Sequence, residues 1–116
     1  MTSYQVNQDA VEHARKLIDA GTYDDTTGWS EAAPSTEERN RVLDQEGWKG
    51  YAQWHLGIDT DASEETKGRY HFPYGDFTEV NRAALIHAEQ RASQNDHDEL
   101  AEVAKELLER LDRTRS

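Results

Sequence analysis

The chain has 116 residues, of which 24 are Asp or Glu and 13 are Lys or Arg, so its formal net charge is −11. A charge of that sign repels phosphate backbones and anionic lipid surfaces, which argues against general nucleic-acid binding and against membrane binding. The absence of cysteine excludes disulfides, thiolate metal sites and cysteine nucleophiles, and together with the lack of a signal-like N-terminus it leads us to expect a cytoplasmic protein.

The first half of the chain predicts three helices within a single domain spanning residues 1–116. The first runs from Gln8 to Ala20, with Asn7 as its N-cap and Gly21 just past its end. After an irregular connection over residues 21–34, Ser35 and Glu38 form a capping-box pattern that begins the second helix. That helix should end at Gly47, and a third is predicted over residues 48–56, followed by a polar turn.

The second half predicts a small β-hairpin and two further helices. Aromatic residues favour a strand over residues 69–74, and Phe77–Val80 would return as its partner, giving a hairpin near residues 69–80. A helix follows from Arg82 to Ser93. Asp96 and Glu99 repeat the capping-box pattern and begin the last helix, about residues 97–111, with a frayed tail over 112–116. The predicted fold class is therefore α+β and predominantly helical, with about five helices around one core.

One segment stands out for function because it gathers cations and aromatic rings in an otherwise acidic chain. Cations beside an aromatic wall can bind a carboxylate or a phosphate, so a small anionic ligand or an unknown protein is the expected partner. The competing interpretation is that the same cations neutralise Asp76, Glu79 and Glu89. The candidate binding residues are Lys67, Arg69, Tyr70, His71, Tyr74, Arg82 and Arg91.

Neither a catalytic residue nor a cofactor is predicted. The five histidines show none of the paired spacings of metal-binding helices, and no phosphate-binding loop or nucleophile elbow occurs. We therefore expect no metal. The alternative is a small enzyme or metal-binding protein that uses His55, Asp59 and His71 brought together by the fold.

Two stretches resemble a known group of sequences. They are YAQWHLGID at residues 51–59 and TKGRYHFPYGDF at residues 66–77, followed by Arg82, Arg91 and Gln94. The chain is similar there, over roughly residues 48–111, to a widespread group of small prokaryotic proteins of uncharacterised function, with related stretches in phage-encoded proteins. Asn81 and the Glu-rich last helix depart from that pattern. No functional residue is established for the group, so the resemblance implies none here.

Three functional hypotheses follow. The first, favoured because compact catalytic motifs are lacking, is a non-enzymatic binding or structural module, phage-derived or regulatory. The second is the enzyme or metal protein just described. The third is an acidic mimic that docks a basic partner protein, which the net charge of −11 would suit.

Overall fold

The computed structural model describes residues 4–115, and in that part the chain forms five α-helices and two small β-sheets. The predicted α+β, predominantly helical fold class is confirmed. In chain order the elements are β1 (Tyr4–Val6), α1 (Gln8–Asp19), β2 (Tyr23–Asp24), α2 (Trp29–Ala32), α3 (Thr36–Ala52), β3 (His55–Asp59), a 3-10 turn (Lys67–Arg69), β4 (Tyr70–Pro73), β5 (Val80–Asn81), α4 (Arg82–Gln94) and α5 (Asp98–Arg115).

Helices α1, α4 and α5 pack together and supply most of the core. The leucines of α5 point inward at helical spacing, and Leu107 and Leu111 are completely buried, as their register predicts. They meet Ile18 of α1 and a row of small residues on α4 that includes Ala88 and Ala92. Short side chains on α4 let the helices approach closely. This packing places the outer face of α4 beside the sheet, where the candidate site lies.

Two helices end in the same type of C-terminal motif, and only one of the two terminating residues was predicted. After α1, Gly21 adopts φ 76°, and the N–H groups of Gly21 and Thr22 donate to the carbonyls of Ile18 and Leu17, which confirms Gly21 as the terminator. After α4, Asp96 adopts φ 58° and takes the equivalent position. The predicted Asp96–Glu99 capping box is therefore wrong, because the backbone of Asp96 ends α4 and α5 begins two residues later, at Asp98.

The predicted second and third helices form one kinked helix, α3. The Ser35–Glu38 capping box is confirmed, with both reciprocal hydrogen bonds present. Gly47 has the non-helical angles φ 73° and ψ −176°, so the predicted break at this residue is confirmed, and α3 consists of two helical segments that meet at a kink there. The predicted extension to residue 56 is wrong because the chain leaves the helix after Ala52. Residues 55–59 instead form β3, whose backbone groups are paired on both sides by neighbouring strands.

The main sheet has the order β1–β3–β4, and both pairings are antiparallel. The predicted strand over residues 69–74 is present as β4, but its partner is β3 rather than Phe77–Val80. Phe77 adopts φ 72°, and the Asp76 carboxylate accepts hydrogen bonds from the backbone N–H groups of Thr78 and Glu79. These bonds form a turn where a strand was expected. One isolated bridge between Gly75 and Val80 is the part of the predicted hairpin that forms.

The connection over residues 21–34 is more regular than predicted. It contains β2, which pairs in parallel with β5, and the short helix α2. The side chain of Asn81 holds this segment, since it donates to the Thr27 carbonyl and accepts from the Ala84 N–H at the start of α4.

The C-terminal residues up to Arg115 are helical rather than frayed. Arg115 forms an ion pair with Asp25 at 3.0 Å, and the Thr114 hydroxyl donates to the Leu111 carbonyl. Ser116, the other part of the predicted tail, lies outside the described residues. Over residues 4–115, every helix falls short of the length and apolar character that crossing a bilayer requires.

Candidate functional site

A cleft of about 710 Å³ lies between α4 and the β1–β3–β4 sheet. Its size falls in the range of small-molecule sites, roughly 300–1,000 Å³. Among the described residues, its lining contains no carboxylate, although acids dominate the chain. The cationic and imidazole side chains that line it are Arg39, His55, His71, His87, Arg91 and His97.

One wall of the cleft is a face of α4. His87, Arg91 and Asn95 are spaced four residues apart, so they project in a row along the helix. The face next to them carries Ala88, which is buried against the core. Because that core contact fixes the rotation of α4 about its axis, His87, Arg91 and Asn95 face the cleft.

The opposite wall is formed by four consecutive residues of β4, Tyr70 to Pro73. Within this wall Phe72 adopts φ 60°, a backbone conformation that is strained for an aromatic residue. Strain of this type is often retained where it shapes a binding site.

Tyr4 of β1 connects the aromatic side chains at the end of the cleft. Its ring centroid lies 4.7 Å from that of His71, 4.6 Å from that of His97 and 5.7 Å from that of Phe72. The last two contacts are edge-to-face. This arrangement stabilises aromatic pairs by more than their buried area alone would contribute. The cluster therefore holds two imidazoles at fixed positions on the cleft wall.

His55 lies at the inner end of the cleft and is 2% exposed. Its ring stacks on Tyr51 at 4.6 Å, and its Nδ1 lies 3.0 Å from the Tyr51 carbonyl oxygen. Burial lowers the pKa of His55 to about 4, the hydrogen bond to the Tyr51 carbonyl opposes that change, and the charge of Arg39 adds to it. His55 is therefore neutral at pH 7.

The two arginines of the cleft have no carboxylate partner within the described chain. Several arginines outside the cleft form ion pairs, among them Arg82 with Asp112 and Arg110 with Asp19. Arg39 donates its Nε to the Pro34 carbonyl and forms no ion pair in residues 4–115, and Arg91, which is exposed, also forms none there. Their guanidinium groups keep donors for an anion.

Three of the seven predicted binding residues line the cleft, namely Tyr70, His71 and Arg91. The Tyr70 hydroxyl donates to the Glu64 carbonyl, and His71 Nε2 lies 2.7 Å from the Gly68 carbonyl. These bonds attach both side chains to the loop before β4 and fix their rings against the cleft.

Lys67 and Arg69 were also predicted to bind, but the structure does not place them on the cleft. Lys67 donates to the side-chain oxygen of Asn40, and Arg69 donates to the Ala62 carbonyl at 2.7 Å. Both hold the loop between β3 and β4 in place.

Tyr74 and Arg82 do not line the cleft either. Tyr74 is completely buried, its hydroxyl donates to the Gln53 carbonyl and lies 2.8 Å from His13 Nδ1, and burial raises the pKa of the phenol. Arg82 makes a bidentate pair with Asp112 of α5. Within residues 4–115, none of the predicted cations (Lys67, Arg69, Arg82 and Arg91) forms an ion pair with Asp76, Glu79 or Glu89. The internal neutralisation considered from the sequence is therefore not seen among these residues.

Sequence reasoning missed Tyr4, Arg39, His87 and His97 as cleft residues. The i, i+4, i+8 spacing of His87, Arg91 and Asn95 could have revealed the polar face of α4. Tyr4 and Arg39 come from distant parts of the chain and carry no local signal, because only the pairing of β1 with β3 and the kink of α3 place them.

The alternative site of His55, Asp59 and His71 is only partly assembled. Both histidines line the cleft, but the Asp59 carboxylate accepts a hydrogen bond from the Asp61 N–H in the turn after β3. Within residues 4–115, no three side chains from His, Asp and Glu lie close enough together to hold a metal ion. The three residues therefore do not form a metal-ligand set.

No family model matches the chain, and no curated protein or solved structure matches it. The resemblance to prokaryotic and phage sequences therefore stays a prediction.

Proposed function

We propose that the protein is a non-enzymatic binding module that holds a small anionic ligand in the cleft. The observation that carries the proposal is the pair of arginines, Arg39 and Arg91, that face a cleft without a described carboxylate in a chain of net charge −11. Arginine donates in a planar fork that matches carboxylate and phosphate oxygens, and such charge-assisted bonds are about twice as strong as neutral ones.

The walls of the cleft offer apolar surface beside the cations. Tyr4, Tyr70 and Phe72 provide aromatic surface beside the cations. A guanidinium–anion contact is weak in bulk water and becomes stronger as the local dielectric falls. A compact anion with a short carbon chain would place its charge on the arginines and its carbon atoms against these rings.

The lining supports binding rather than catalysis. Its four histidines are side chains that can act as general bases, but among the described residues the lining contains no Ser, Thr, Lys, Asp or Glu side chain to serve beside them as a nucleophile or a carboxylate. The proposal keeps the expected cytoplasmic location, which rests on the lack of cysteine.

The experiment is an NMR titration of ¹⁵N-labelled protein with propyl phosphate and, separately, with propionate. We expect shifts at the imidazoles of His71, His87 and His97, and a loss of affinity of about tenfold or more in Arg39→Gln and Arg91→Gln. Arg41→Gln is the matched control, since it removes the same charge from an exposed position of α3 outside the cleft.

Two results would contradict the proposal. One is the absence of shifts at the cleft histidines with both anions. The other is an equal loss of affinity in Arg41→Gln and the two cleft variants, because that would show attraction by overall charge rather than by a site.

A further inference from the structure

The buried imidazole of His55 has a defined tautomer. Its Nδ1 faces the Tyr51 carbonyl oxygen at 3.0 Å, and a carbonyl oxygen can only accept. Nδ1 therefore carries the proton and donates. Nε2 of the neutral ring then has a lone pair and can only accept a hydrogen bond.

Nε2 has no hydrogen-bond partner among the described residues. Every side-chain nitrogen or oxygen that is sealed from solvent in this part of the chain has a partner, so Nε2 is not sealed. His55 is nevertheless 2% exposed, and the cleft is the cavity that it lines. The small exposed part of the ring therefore includes Nε2, which opens into the cleft as a free acceptor.

The neighbouring groups of the cleft do not satisfy this acceptor. Arg39 directs its Nε to the Pro34 carbonyl, and His71 directs its Nε2 to the Gly68 carbonyl. The low pKa of His55, about 4, keeps the ring in its accepting form at pH 7. Stacking on Tyr51 and the hydrogen bond to the Tyr51 carbonyl hold His55 in place. Its Nε2 therefore favours a ligand that carries a hydrogen-bond donor.

We propose that the ligand is a hydroxylated small anion, whose charged group lies against Arg39 and Arg91 while a hydroxyl on a neighbouring carbon donates to His55 Nε2. This inference rests on the proposed function and specifies its ligand class. Arg39, Arg91 and His55 line the same cleft, so one small molecule in it can contact both the arginines and the imidazole. A polyol phosphate or a short hydroxy acid has that arrangement; both share an anion beside a hydroxyl.

The test compares matched pairs of ligands that differ in hydroxyl groups alone. Glycerol 3-phosphate is paired with propyl phosphate, and lactate with propionate, so that one arm tests a phosphate and the other a carboxylate. We expect the hydroxylated member of at least one pair to bind about tenfold tighter or more, because its partner leaves a desolvated acceptor unpaired. The ¹⁵N resonance of His55 Nε2 should shift with that member and stay in place with its partner.

A variant separates the acceptor from the rest of the cleft. His55→Phe keeps a flat ring against Tyr51 but removes Nε2, so we expect the two ligands of each matched pair to bind this variant with equal affinity. If the variant does not fold, the Nε2 resonance of the unaltered protein still decides the question.

The outcomes distinguish this inference from the proposed function. Equal affinities within both pairs, or a hydroxyl preference with no shift at His55 Nε2, would overturn the inference and leave anion binding intact. Failure of all four ligands to perturb the cleft would overturn the proposed function, and the inference with it.

Discussion

The helical half of the molecule (α1, α4 and α5) and its strand half (β1, β3 and β4) are stabilised by different types of contact. In the helical half, completely buried aliphatic side chains such as Ile18 and Leu107 interlock. In the strand half, rings stack and polar atoms bond to backbone carbonyls, as His55 does with Tyr51. The difference separates the molecule into a part that gives stability and a part that carries the cleft.

Asn7 shows how the two halves are joined. It precedes α1 as a helix cap, but its side chain makes no capping bond. Instead its amide donates to the carbonyls of Ala52 and His55, at 2.9 and 3.2 Å. The predicted cap position is confirmed, while the side chain fixes α1 to the point where α3 passes into β3.

The largest expected effect tests the helical half. Leu107 is completely buried, so Leu107→Ala removes apolar contacts and leaves a cavity, and should lower the free energy of unfolding by about 2–5 kcal/mol. Urea unfolding measures the change. Lys105→Ala, exposed on the same helix, is the control and should stay within about 0.5 kcal/mol of the parent protein. Equal effects of the two substitutions would show that the helix is rotated from its described register.

The second effect tests the strand half through pH. Burial lowers the pKa of His55 from 6.5 to about 4, so between those values the unfolded chain binds more protons than the folded one. Stability from this group is complete above pH 6.5 and is lost as the pH falls toward 4, by about 3 kcal/mol. His13, whose pKa burial also lowers, acts in the same direction.

The measurement is an NMR titration of the His55 ring, combined with urea unfolding at pH 7 and pH 5. A His55 ring that titrates near 6.5 in the folded protein would show that the ring is solvated, and would remove the expected loss of stability.

The smallest expected effect also lies in the strand half. A methyl group on Gly75 would overlap the Glu79 carbonyl oxygen and the Trp54 ring, so Gly75→Ala should cost about 1–3 kcal/mol by overpacking. Gly68→Ala is the matched control, because its nearest neighbour would be an ordinary 3.9 Å from the new atom. Thermal unfolding of the two variants gives the comparison. A tolerated Gly75→Ala would show that the turn after β4 can shift.

The helical half was largely predictable because its signals are local. The spacing of the α5 leucines and the glycine after α1 each act within a few residues of the chain, as does the Ser35–Glu38 box that begins α3. The spacing of apolar residues along a helix identifies its buried face, so these helices could be predicted without knowing which elements pack against them.

The strand half was not predictable to the same extent, because its partners are far apart in sequence. Tyr4 pairs with Asp59, and Gly57 pairs with His71. Phe77 looks like a strand residue, yet the carboxylate of Asp76 holds the following backbone in a turn. The same difficulty applies to the cleft. Tyr70, His71 and Arg91 were identified from the composition of their segments. Arg39 and His97 could not be, because only the folded topology places them on the cleft.

The position of Tyr4 on the cleft wall decides where a fluorophore should be attached. A label on β1 would lie beside the binding cavity and compete with the ligand for space. Helix α5 has 18 residues and is therefore about 27 Å long, and it begins beside His97 on the cleft. A label near Arg113, at the far end of α5, is separated from the cavity by most of that length, so ligand screening should use that position.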